Sequence, residues 1–423
     1  MEVGIEAMNA FCGSAYLNVR KLAEYRKLDT ARFDNLLMKE KTVALPYEDP
    51  VTYAVNAARP VLESLAPQAR ERIEMLITCS ESGIDFGKSL STYIHHYLDL
   101  NRNCRLFELK QACYAGTAGL QMAINFILSD VSPGAKALVV ATDLSRVLIE
   151  DITEDATDAR FSEWSYAEPS TGAGAVALLI SAEPQVFRVD IGANGYYGYE
   201  VMDTCRPGIE GEVGDADLSL LSYLDCCEQS FSEYQRRVKG ADYGSAFQYL
   251  AFHTPFGGMV KGAHRSMMRK TRRAAPDDIE ADFSRRVQPG LTYCQRVGNI
   301  MGGTVFLSLA SLIDRGDFSA PRRIGCFSYG SGCCSEFYSG TVTQQSQLRQ
   351  RGFGIANHLD TRYELSLDEY ERVLSHSHKL KFGTRNVVID EPSFADLPAV
   401  RHHSRHLRLG EIRDYHRKYV WSA

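Results

Sequence analysis

The chain contains no apolar run long enough to cross a membrane, and its first residues do not have the pattern of a secretion signal. A membrane-spanning helix needs about 18 or more consecutive apolar residues, and no part of the 423-residue chain forms such a run. The first residues, MEVGIE, lack the basic stretch and the long apolar segment that mark a secretion signal. Together these absences predict a cytoplasmic protein.

An excess of positive charge is also absent. The formal net charge is −6 at pH 7, whereas proteins that bind nucleic acid carry a basic surface field. We therefore expect no nucleic-acid partner.

Patterns that would bind metal or phosphate are missing as well. The 11 cysteines are odd in number and follow no secretion signal, which argues against a disulfide framework. The adjacent pairs at 226–227 and 333–334 belong to no CxxC array, and no histidine lies beside them at zinc-ligand spacing. The glycine-rich turns lack the lysine and the spacing of a Walker loop. The sequence therefore predicts neither a bound metal nor a phosphate-binding loop.

Strand-like and helix-like segments alternate along the chain, which is typical of an α/β protein. In the first part, strands are predicted at 75–79, 105–109, 137–141 and 175–180, and helices at 51–65, 89–100 and 115–128. In the second part, strands are predicted at 187–191, 249–252 and 323–327, and helices at 218–234 and 299–312. We therefore predict two α/β halves, residues 1–180 and 181–423, with a solvated tail or edge helix around 402–406.

The most informative residue is Cys113, at a predicted strand-to-helix turn. The strand-like run 105–109 leads into it and the helix-like run 115–128 leads out, with glycines and other small residues nearby. A thiolate is favoured near the positive N-terminal end of a helix, and it can form a thioester with an acyl group. This setting favours an acyl-transfer nucleophile over the alternative, a cysteine that only fills the core.

Glu81 and His253 each follow a predicted strand and precede a loop that contains glycine. Glu81 is either a solvated loop residue or a carboxylate held in a cleft for acid–base work. His253 is either a structural histidine or a hydrogen-bond donor to a substrate carbonyl. The residues alone leave both alternatives open in each case.

Two further turns are candidates for the same pocket. Asn299 follows Gly298, and its amide can orient a partner. The segment FSYGSG (327–332) is a glycine-rich turn after a strand, and such a turn can expose backbone N–H groups. Taken alone, each is an ordinary turn.

Together these segments resemble the 3-hydroxy-3-methylglutaryl-CoA synthase family over nearly the whole chain. The run KQACYAGT (110–117) looks like the nucleophile motif of that family, and the segments around Glu81, His253, Asn299 and 328–332 are similar to its other site motifs. SESGIDFGK (80–88) and HTPFGGMVKGAHR (253–265) look like the acyl-carrier-protein-dependent branch found in bacterial polyketide β-branching cassettes. The resemblance implies a thiolase-like fold, two similar halves in five αβαβα layers, and a homodimer.

The resemblance also implies a reaction. Cys113 would take an acetyl group from a donor acyl carrier protein, and Glu81 would remove a proton from the acetyl methyl group. The resulting enolate would add to the β-ketone of a polyketide on an acceptor carrier protein, while His253 donates a hydrogen bond to the acceptor thioester carbonyl. Water would then release the product from Cys113.

The remaining implied roles are supporting ones. Asn299 would hold the acceptor, and the Cys113 N–H would form an oxyanion hole with an N–H of the 328–332 turn. That turn supplies the substrate-binding and oxyanion candidates Ser328, Tyr329, Gly330 and Ser331. Asp143 and Asp203 look like acidic positions that support the site.

Carrier proteins are acidic and bring their own phosphopantetheine, so the resemblance implies no cofactor bound by the enzyme itself. A basic rim around the tunnel mouth would attract them. Lys261 and Arg265 are the favoured positions because they lie closest in sequence to His253. The other basic candidates are His264, Arg269, Lys270, Arg272, Arg273, Arg26, Lys27, Arg32 and Lys39.

Three alternatives stay open. The chain could be a CoA-dependent synthase of primary metabolism, a Claisen-type ketosynthase or thiolase, or a scaffold that only docks carrier proteins. Claisen enzymes use a second catalytic histidine or cysteine in a late motif, which residues 299 and 328–332 do not supply. An intact set of Cys113, Glu81 and His253 argues against a scaffold.

Overall fold

The structure is a computed structural model and describes residues 1–145, 167–205, 213–377, 380, 382–389, 394, 396–397 and 405–422. Its strands are β1 (Gly4–Phe11), β2 (Ala15–Asn18), β3 (Glu40–Val43), β4 (Ile73–Cys79), β5 (Arg105–Leu109), β6 (Lys136–Leu144), β7 (Ala173–Ser181), β8 (Phe187–Gly198), β9 (Thr204–Cys205), β10 (Val213–Gly214), β11 (Tyr249–Phe252), β12 (Arg322–Gly330), β13 (Cys334–Val342), β14 (Tyr363–Glu364), β15 (Val387–Val388), β16 (Leu407–Arg413) and β17 (His416–Trp421).

Its α-helices are α1 (Val19–Tyr25), α2 (Thr30–Asp34), α3 (Pro50–Glu63), α4 (Pro67–Arg70), α5 (Leu90–Tyr97), α6 (Ala115–Leu128), α7 (Ala167–Ser170), α8 (Ala216–Arg237), α9 (Gly257–Arg272), α10 (Pro276–Arg286), α11 (Gln288–Val297), α12 (Thr304–Arg315), α13 (Gln344–Arg351), α14 (Ile355–Asp360) and α15 (Leu367–Ser377). A 3-10 turn at Met301–Gly303 precedes α12.

A mixed sheet of nine strands forms the centre of the molecule, in the order β11-β12-β13-β8-β1-β7-β6-β4-β5. One part of it, β1 with β4 to β7, comes from the first half of the chain, and the other part comes from the second half. The two parts are joined where Gly4 pairs with Arg188 and Ile5 with Phe187. In each part some neighbouring strands run parallel, β4 with β5 and β6, and β11 with β12. The other neighbours, β1 with β7, β6 with β7, β12 with β13 and β13 with β8, are antiparallel. Parallel neighbours bring their C-terminal ends to one edge, and both Glu81 and His253 follow such ends.

The strands separate three hydrophobic cores. In β6, Val139 belongs to a central core between the two parts of the sheet, whereas Leu138 and Val140 belong to an outer core beneath α3. Helices α6 and α12 fill the centre, where Gly116 lies against Phe306. On the far side, α8 packs on β8 and β13 over the third core. The order helix, sheet, helix, sheet, helix confirms the predicted layering.

Most predicted elements near the site have nearly the predicted bounds, and β5 and α6 have them without change. The helix predicted at 299–312 is wrong at its start. Gly298 has φ +91° and ends α11, so Asn299 lies in a turn and α12 begins only at Thr304.

The end of the chain contains a pair of strands that the sequence analysis did not predict, and the tail predicted at 402–406 stays a prediction. Residues 402–404 of the predicted tail lie outside the described residues, and the strands that follow, β16 and β17, form a hairpin that the sequence analysis missed. This hairpin packs on the first half, where the Arg417 guanidinium donates to Asp49 at 2.9 Å. The division at 180/181 falls where β7 ends and the chain turns into β8, and as a domain boundary it stays a prediction.

Candidate active site

Cys113 lies in the turn between β5 and α6. Ala112 has a left-handed backbone, with φ +43°, and this uncommon conformation turns the chain sharply after the strand. The Tyr114 N–H donates to the Gln111 carbonyl at 3.1 Å and closes the turn. Cys113 is half-buried and precedes the first residue of the 14-residue helix α6 by two positions. Its sulfur therefore lies near the positive end of the helix dipole.

Glu81 faces this cysteine from the neighbouring strand end. The Ser80 N–H donates to the Leu109 carbonyl at 3.2 Å, which joins the ends of β4 and β5. The Cys113 Sγ then lies 3.6 Å from Glu81 Oε1 and donates to it. The thiol and the carboxylate are 32 residues apart in the chain, and the fold brings them into one site.

Asp143 holds the loop that carries Glu81. Its Oδ1 accepts from the backbone N–H groups of Glu81 at 2.9 Å and Ser82 at 3.0 Å, and from the hydroxyls of Ser80 at 3.1 Å and Ser82 at 2.8 Å. Burial and the nearby Glu81 carboxylate raise the pKa of Asp143, against the lowering effect of these hydrogen bonds. Asp143 therefore orders the Glu81 loop and adds a second carboxyl group beside the first.

His253 follows β11 and is fully buried. Its backbone N–H donates to the Phe327 carbonyl at 2.8 Å, and its own carbonyl accepts from the Tyr223 hydroxyl at 2.6 Å. Neither ring nitrogen has a hydrogen-bond partner in the described parts of the chain. Burial lowers the pKa of His253 to about 3, so the imidazole is neutral at pH 7. A neutral imidazole can offer one N–H to a substrate atom.

Asn299 connects three segments. Its N–H donates to the Ser170 carbonyl at 2.8 Å, and its Oδ1 accepts from the Met301 N–H at 3.0 Å and the Thr304 hydroxyl at 2.8 Å. The side-chain oxygen is thus committed to the start of α12, and the Nδ2 group is left to donate. Next in this turn, a Cβ on Gly302 would lie 3.8 Å from the Cys113 carbonyl, so the Asn299 turn adjoins the Cys113 turn.

The β12–β13 hairpin approaches the same turn from the other side. A Cβ on Gly330 would lie 2.6 Å from the Tyr114 nitrogen and 2.7 Å from the Gln111 carbonyl, so only glycine allows this approach. Ser328, in the same strand, is buried, and its hydroxyl has no partner among the described residues.

Asp203 fixes the tip of this hairpin. The Tyr329 hydroxyl and the Gly332 N–H both donate to its carboxylate, the latter at 2.8 Å. Ser331 accepts from the Thr204 hydroxyl at 2.7 Å. Since the Gly332 N–H is already bonded, this N–H is not available for the predicted oxyanion hole.

Thr171 is a candidate that the sequence analysis missed. Its backbone forms a bridge with Asn299, and its buried hydroxyl has no partner among the described residues. Nothing in the sequence distinguishes this threonine from an ordinary turn residue.

The predicted basic rim is partly wrong. Lys261 and Arg265 lie one turn apart on α9; Arg265 is exposed and Lys261 pairs with Glu280 at 2.9 Å. His264 is fully buried and makes a 3.0 Å hydrogen bond with Tyr243, so it cannot belong to a surface rim. Arg26 is also excluded, because Glu168 and Glu371 engage its guanidinium. The side chain of Arg32 lies outside the described part.

Two absences concern only the described residues. None of their helices is long and apolar enough to span a membrane. Nor do three or more of their histidine, cysteine, aspartate and glutamate side chains converge where they could hold a metal ion.

The fold and this site define a class of enzyme. The site combines a half-buried thiol, a carboxylate in contact with it and a glycine turn packed beside it with a buried neutral imidazole that follows a strand of the second half. This set suits thioester chemistry, with a nucleophile, a base and donors for developing negative charge.

The comparisons give the family. Residues 1–185 match the family described as Hydroxymethylglutaryl-coenzyme A synthase N terminal, and residues 269–397 match its C-terminal counterpart. The chain belongs to the hydroxymethylglutaryl-CoA synthase family and is therefore a condensing, acyl-transferring enzyme with a thiolase-like fold. His253, Lys261 and Arg265 fall between the two matched segments.

Individual relatives match most or all of the chain. The chain is 65% identical to the polyketide biosynthesis 3-hydroxy-3-methylglutaryl-ACP synthase PksG of Bacillus subtilis over 421 residues, which is 100% of this chain and 99% of that protein. It is 32% identical to the hydroxymethylglutaryl-CoA synthase of Enterococcus faecalis, covering 89% of this chain and 92% of that one. The curacin biosynthetic pathway HMG synthase, solved in complex with holo donor-ACP, matches with a TM-score of 0.95 and 63% identity over 100% of both chains.

Proposed function

We propose that this chain is the 3-hydroxy-3-methylglutaryl-ACP synthase of a polyketide β-branching pathway. The observation that carries the proposal is the 3.6 Å contact between Cys113 Sγ and Glu81 Oε1, which pairs a nucleophile with a base. The 65% identity to the Bacillus subtilis HMG-ACP synthase, against 32% to the Enterococcus faecalis CoA enzyme, supports the carrier-protein branch.

The first step is acetyl transfer to Cys113. The thiolate attacks the thioester carbonyl of the acetyl group on the donor carrier protein, and the phosphopantetheine sulfur leaves and takes up a proton. The N-terminal end of α6 favours the thiolate. A cysteine thiolate also suits a group that must be loaded and later released, because it is both a good nucleophile and a good leaving group.

The second step is enolate formation. Glu81 takes a proton from the methyl group of acetyl-Cys113, and backbone N–H groups near the sulfur stabilise the negative oxygen. One well-aimed donor of this kind contributes about 3 kcal/mol. The hydrogen bonds of Asp143 to the Glu81 loop support this role because they hold the base beside Cys113.

The third step is addition to the acceptor ketone. His253 donates a hydrogen bond to the acceptor thioester carbonyl, and this role is supported by its fully buried ring, which has no hydrogen-bond partner among the residues that the structure describes. The Nδ2 group of Asn299, and the hydroxyl of Thr171, which has no partner among the described residues, are proposed as further donors to the acceptor. Glu81 returns its proton to the new alkoxide, and water then cleaves the thioester to Cys113, which makes the addition irreversible.

The proposed partners are a donor acetyl-ACP and an acceptor β-ketoacyl-ACP, each carrying its own phosphopantetheine. The curacin enzyme has been solved with its donor-ACP, which supports the first. Lys261 and Arg265 are the proposed contacts, because α9 begins four residues after His253. Since the enzyme would act on carrier-bound biosynthetic intermediates, we also propose a cytoplasmic location.

We propose a homodimer as well. Strand β5 is an edge of the nine-stranded sheet and its residues are exposed or half-buried, and an edge strand of this kind can pair with a strand of a second copy. Light scattering on the purified protein tests this, and a monomeric mass at micromolar concentration would contradict it.

Acetyl loading tests the proposed function. The protein is incubated with acetyl-ACP or with acetyl-CoA, and intact mass follows the adduct. We expect an acetyl adduct in the wild type and in Cys104→Ala, but not in Cys113→Ala. Cys104 is a matched control because it is also a partly exposed free thiol and makes no contact with the site.

Two results would contradict the proposal. An adduct that persists in Cys113→Ala would place the nucleophile elsewhere. Equal or faster loading from acetyl-CoA would favour the CoA-dependent synthase instead.

A further inference from the structure

A buried carboxylate beside the nucleophile turn has no role in the steps above. Glu336 lies in β13 and is 2% exposed. It accepts from the Tyr114 hydroxyl at 2.7 Å, from Gln121 Nε2 at 2.8 Å and from Asn194 Nδ2 at 3.0 Å. These donors come from the Cys113 turn, from α6 and from β8, so this one side chain ties both halves of the chain together.

All three partners of Glu336 are donors, which is the arrangement that an ionised carboxylate requires. Burial raises the pKa of Glu336, while its hydrogen bonds to Tyr114 and Asn194 and the more distant Arg237 act in the opposite direction. Within the described residues no lysine or arginine forms an ion pair with it. A buried carboxylate without an ion pair is energetically costly. Two strands of a sheet can be joined without a buried charge, so the cost points to a further role.

Tyr114 is the residue immediately after Cys113 and directly precedes α6. Its N–H closes the nucleophile turn, and its hydroxyl is held by Glu336. The same strand pair also carries Gly330, whose backbone contacts the Tyr114 nitrogen and the Gln111 carbonyl. Ser328 is the direct partner of Glu336 in the β12–β13 register. The hairpin therefore contacts the Cys113 turn at two points, through Gly330 and through Glu336.

We propose that Glu336 is a positioning residue for Cys113, and that it acts through the Tyr114 hydroxyl. The carboxylate fixes the phenol, the phenol fixes the first residue after the nucleophile, and the sulfur is thereby held in line with the incoming thioester carbonyl. The role rests on the proposed acetyl loading. The rate of acetyl transfer depends on where the sulfur lies, because a misplacement of about 1 Å can lower a rate about 100-fold.

A double-mutant cycle tests the inference. Tyr114→Phe removes only the hydroxyl, and Glu336→Gln keeps the shape but removes the charge and one acceptor. The readouts are the rate constant of Cys113 acetylation by acetyl-ACP, the affinity for the donor carrier protein, and the rate of Cys113 alkylation by iodoacetamide. We expect each single variant to lose about tenfold or more in acetylation rate with unchanged carrier affinity. The double variant should be no slower than the slower single one.

A second carboxylate gives a matched control. Asp314 is half-buried and accepts from a tyrosine hydroxyl, that of Tyr293, at 2.6 Å, and the described contacts of this pair do not include the Cys113 turn. Asp314→Asn should therefore keep the wild-type acetylation and alkylation rates. Melting temperatures of all variants show whether they fold.

Several outcomes would overturn the inference. These are wild-type acetylation in Glu336→Gln, rate losses that multiply in the double variant, or an equal loss in Asp314→Asn. If Glu336→Gln does not fold, Tyr114→Phe decides alone, and a wild-type rate there overturns the proposal. A wild-type protein that takes acetyl from neither donor would contradict the proposed function instead, and the alkylation rates would then still decide the positioning role.

Discussion

Gly330→Ala should slow acetyl loading, because this glycine sets the distance between the β12–β13 hairpin and the nucleophile turn. A Cβ there would lie 2.6 Å from the Tyr114 nitrogen, whereas ordinary contacts begin at 3.4 Å. The atom that the Cβ would meet is a backbone nitrogen, which cannot move aside by changing rotamer, so the hairpin has to retreat by about 0.8 Å to restore an ordinary contact. Overpacking of this kind costs about 1–3 kcal/mol of stability. A shift close to 1 Å at a reacting centre lowers the rate by about 10- to 100-fold.

Single-turnover acetylation from acetyl-ACP, followed by intact mass, measures this effect. Gly410→Ala is the matched control, because its Cβ would meet its nearest neighbour, Val420, at an ordinary 3.5 Å in the distant β16–β17 hairpin. We expect Gly410→Ala to load at the wild-type rate. If Gly330→Ala also loads at that rate, the hairpin does not set the geometry of Cys113 and the reasoning fails.

Three further predictions concern the reaction, the stability of the fold and the binding of carrier proteins. Glu81→Gln should still take up acetyl but form no condensed product in a coupled assay with acceptor, since an amide cannot remove the methyl proton; normal product formation would refute the role. The pKa of His253 is about 3 in the folded protein and about 6.5 in the unfolded chain. Between about pH 3 and about pH 6.5 this histidine is therefore protonated only in the unfolded chain, and the stability of the fold decreases as the pH drops below about 6.5. Urea unfolding should show wild type losing about 1.4 kcal/mol per pH unit more than His253→Asn there, and equal slopes would contradict this. Charge reversal at Lys261 and Arg265 together should weaken carrier-protein binding at low salt, and unchanged affinity would remove these residues from the interface.

The sequence predicts the first half of the site because its signals are local. A strand, a short turn and a helix surround Cys113, and another strand ends at Glu81. Because β4 and β5 pair in parallel, these two ends had to meet once the α/β pattern was recognised. No long-range information beyond the alternation of elements was needed.

The second half depends on contacts that no local pattern encodes. The sequence predicts that a helix begins at Asn299, because residues 299–312 are mostly apolar. In the structure Gly298 has a left-handed backbone, and the helix begins only at Thr304. His264 looked like a basic surface residue, yet its ring is buried between Tyr243 and Asp282. In both cases the deciding partner lies in another part of the fold.

Backbone contacts rather than side chains bring the two halves of the site together. A Cβ on Gly116 would lie 2.2 Å from the Gly302 carbonyl, and one on Gly330 would be almost as close to Tyr114. Side-chain contacts can adapt by changing rotamer, but two backbones in contact cannot, so these approaches fix where Cys113 stands. In the proposed mechanism, both half-reactions use the same sulfur in the same place. A substitution at such a glycine should therefore impair acetyl loading and condensation together, whereas Glu81→Gln should separate them. A shared defect thus indicates loss of the backbone contact, and a defect in one step alone indicates loss of a reacting side chain.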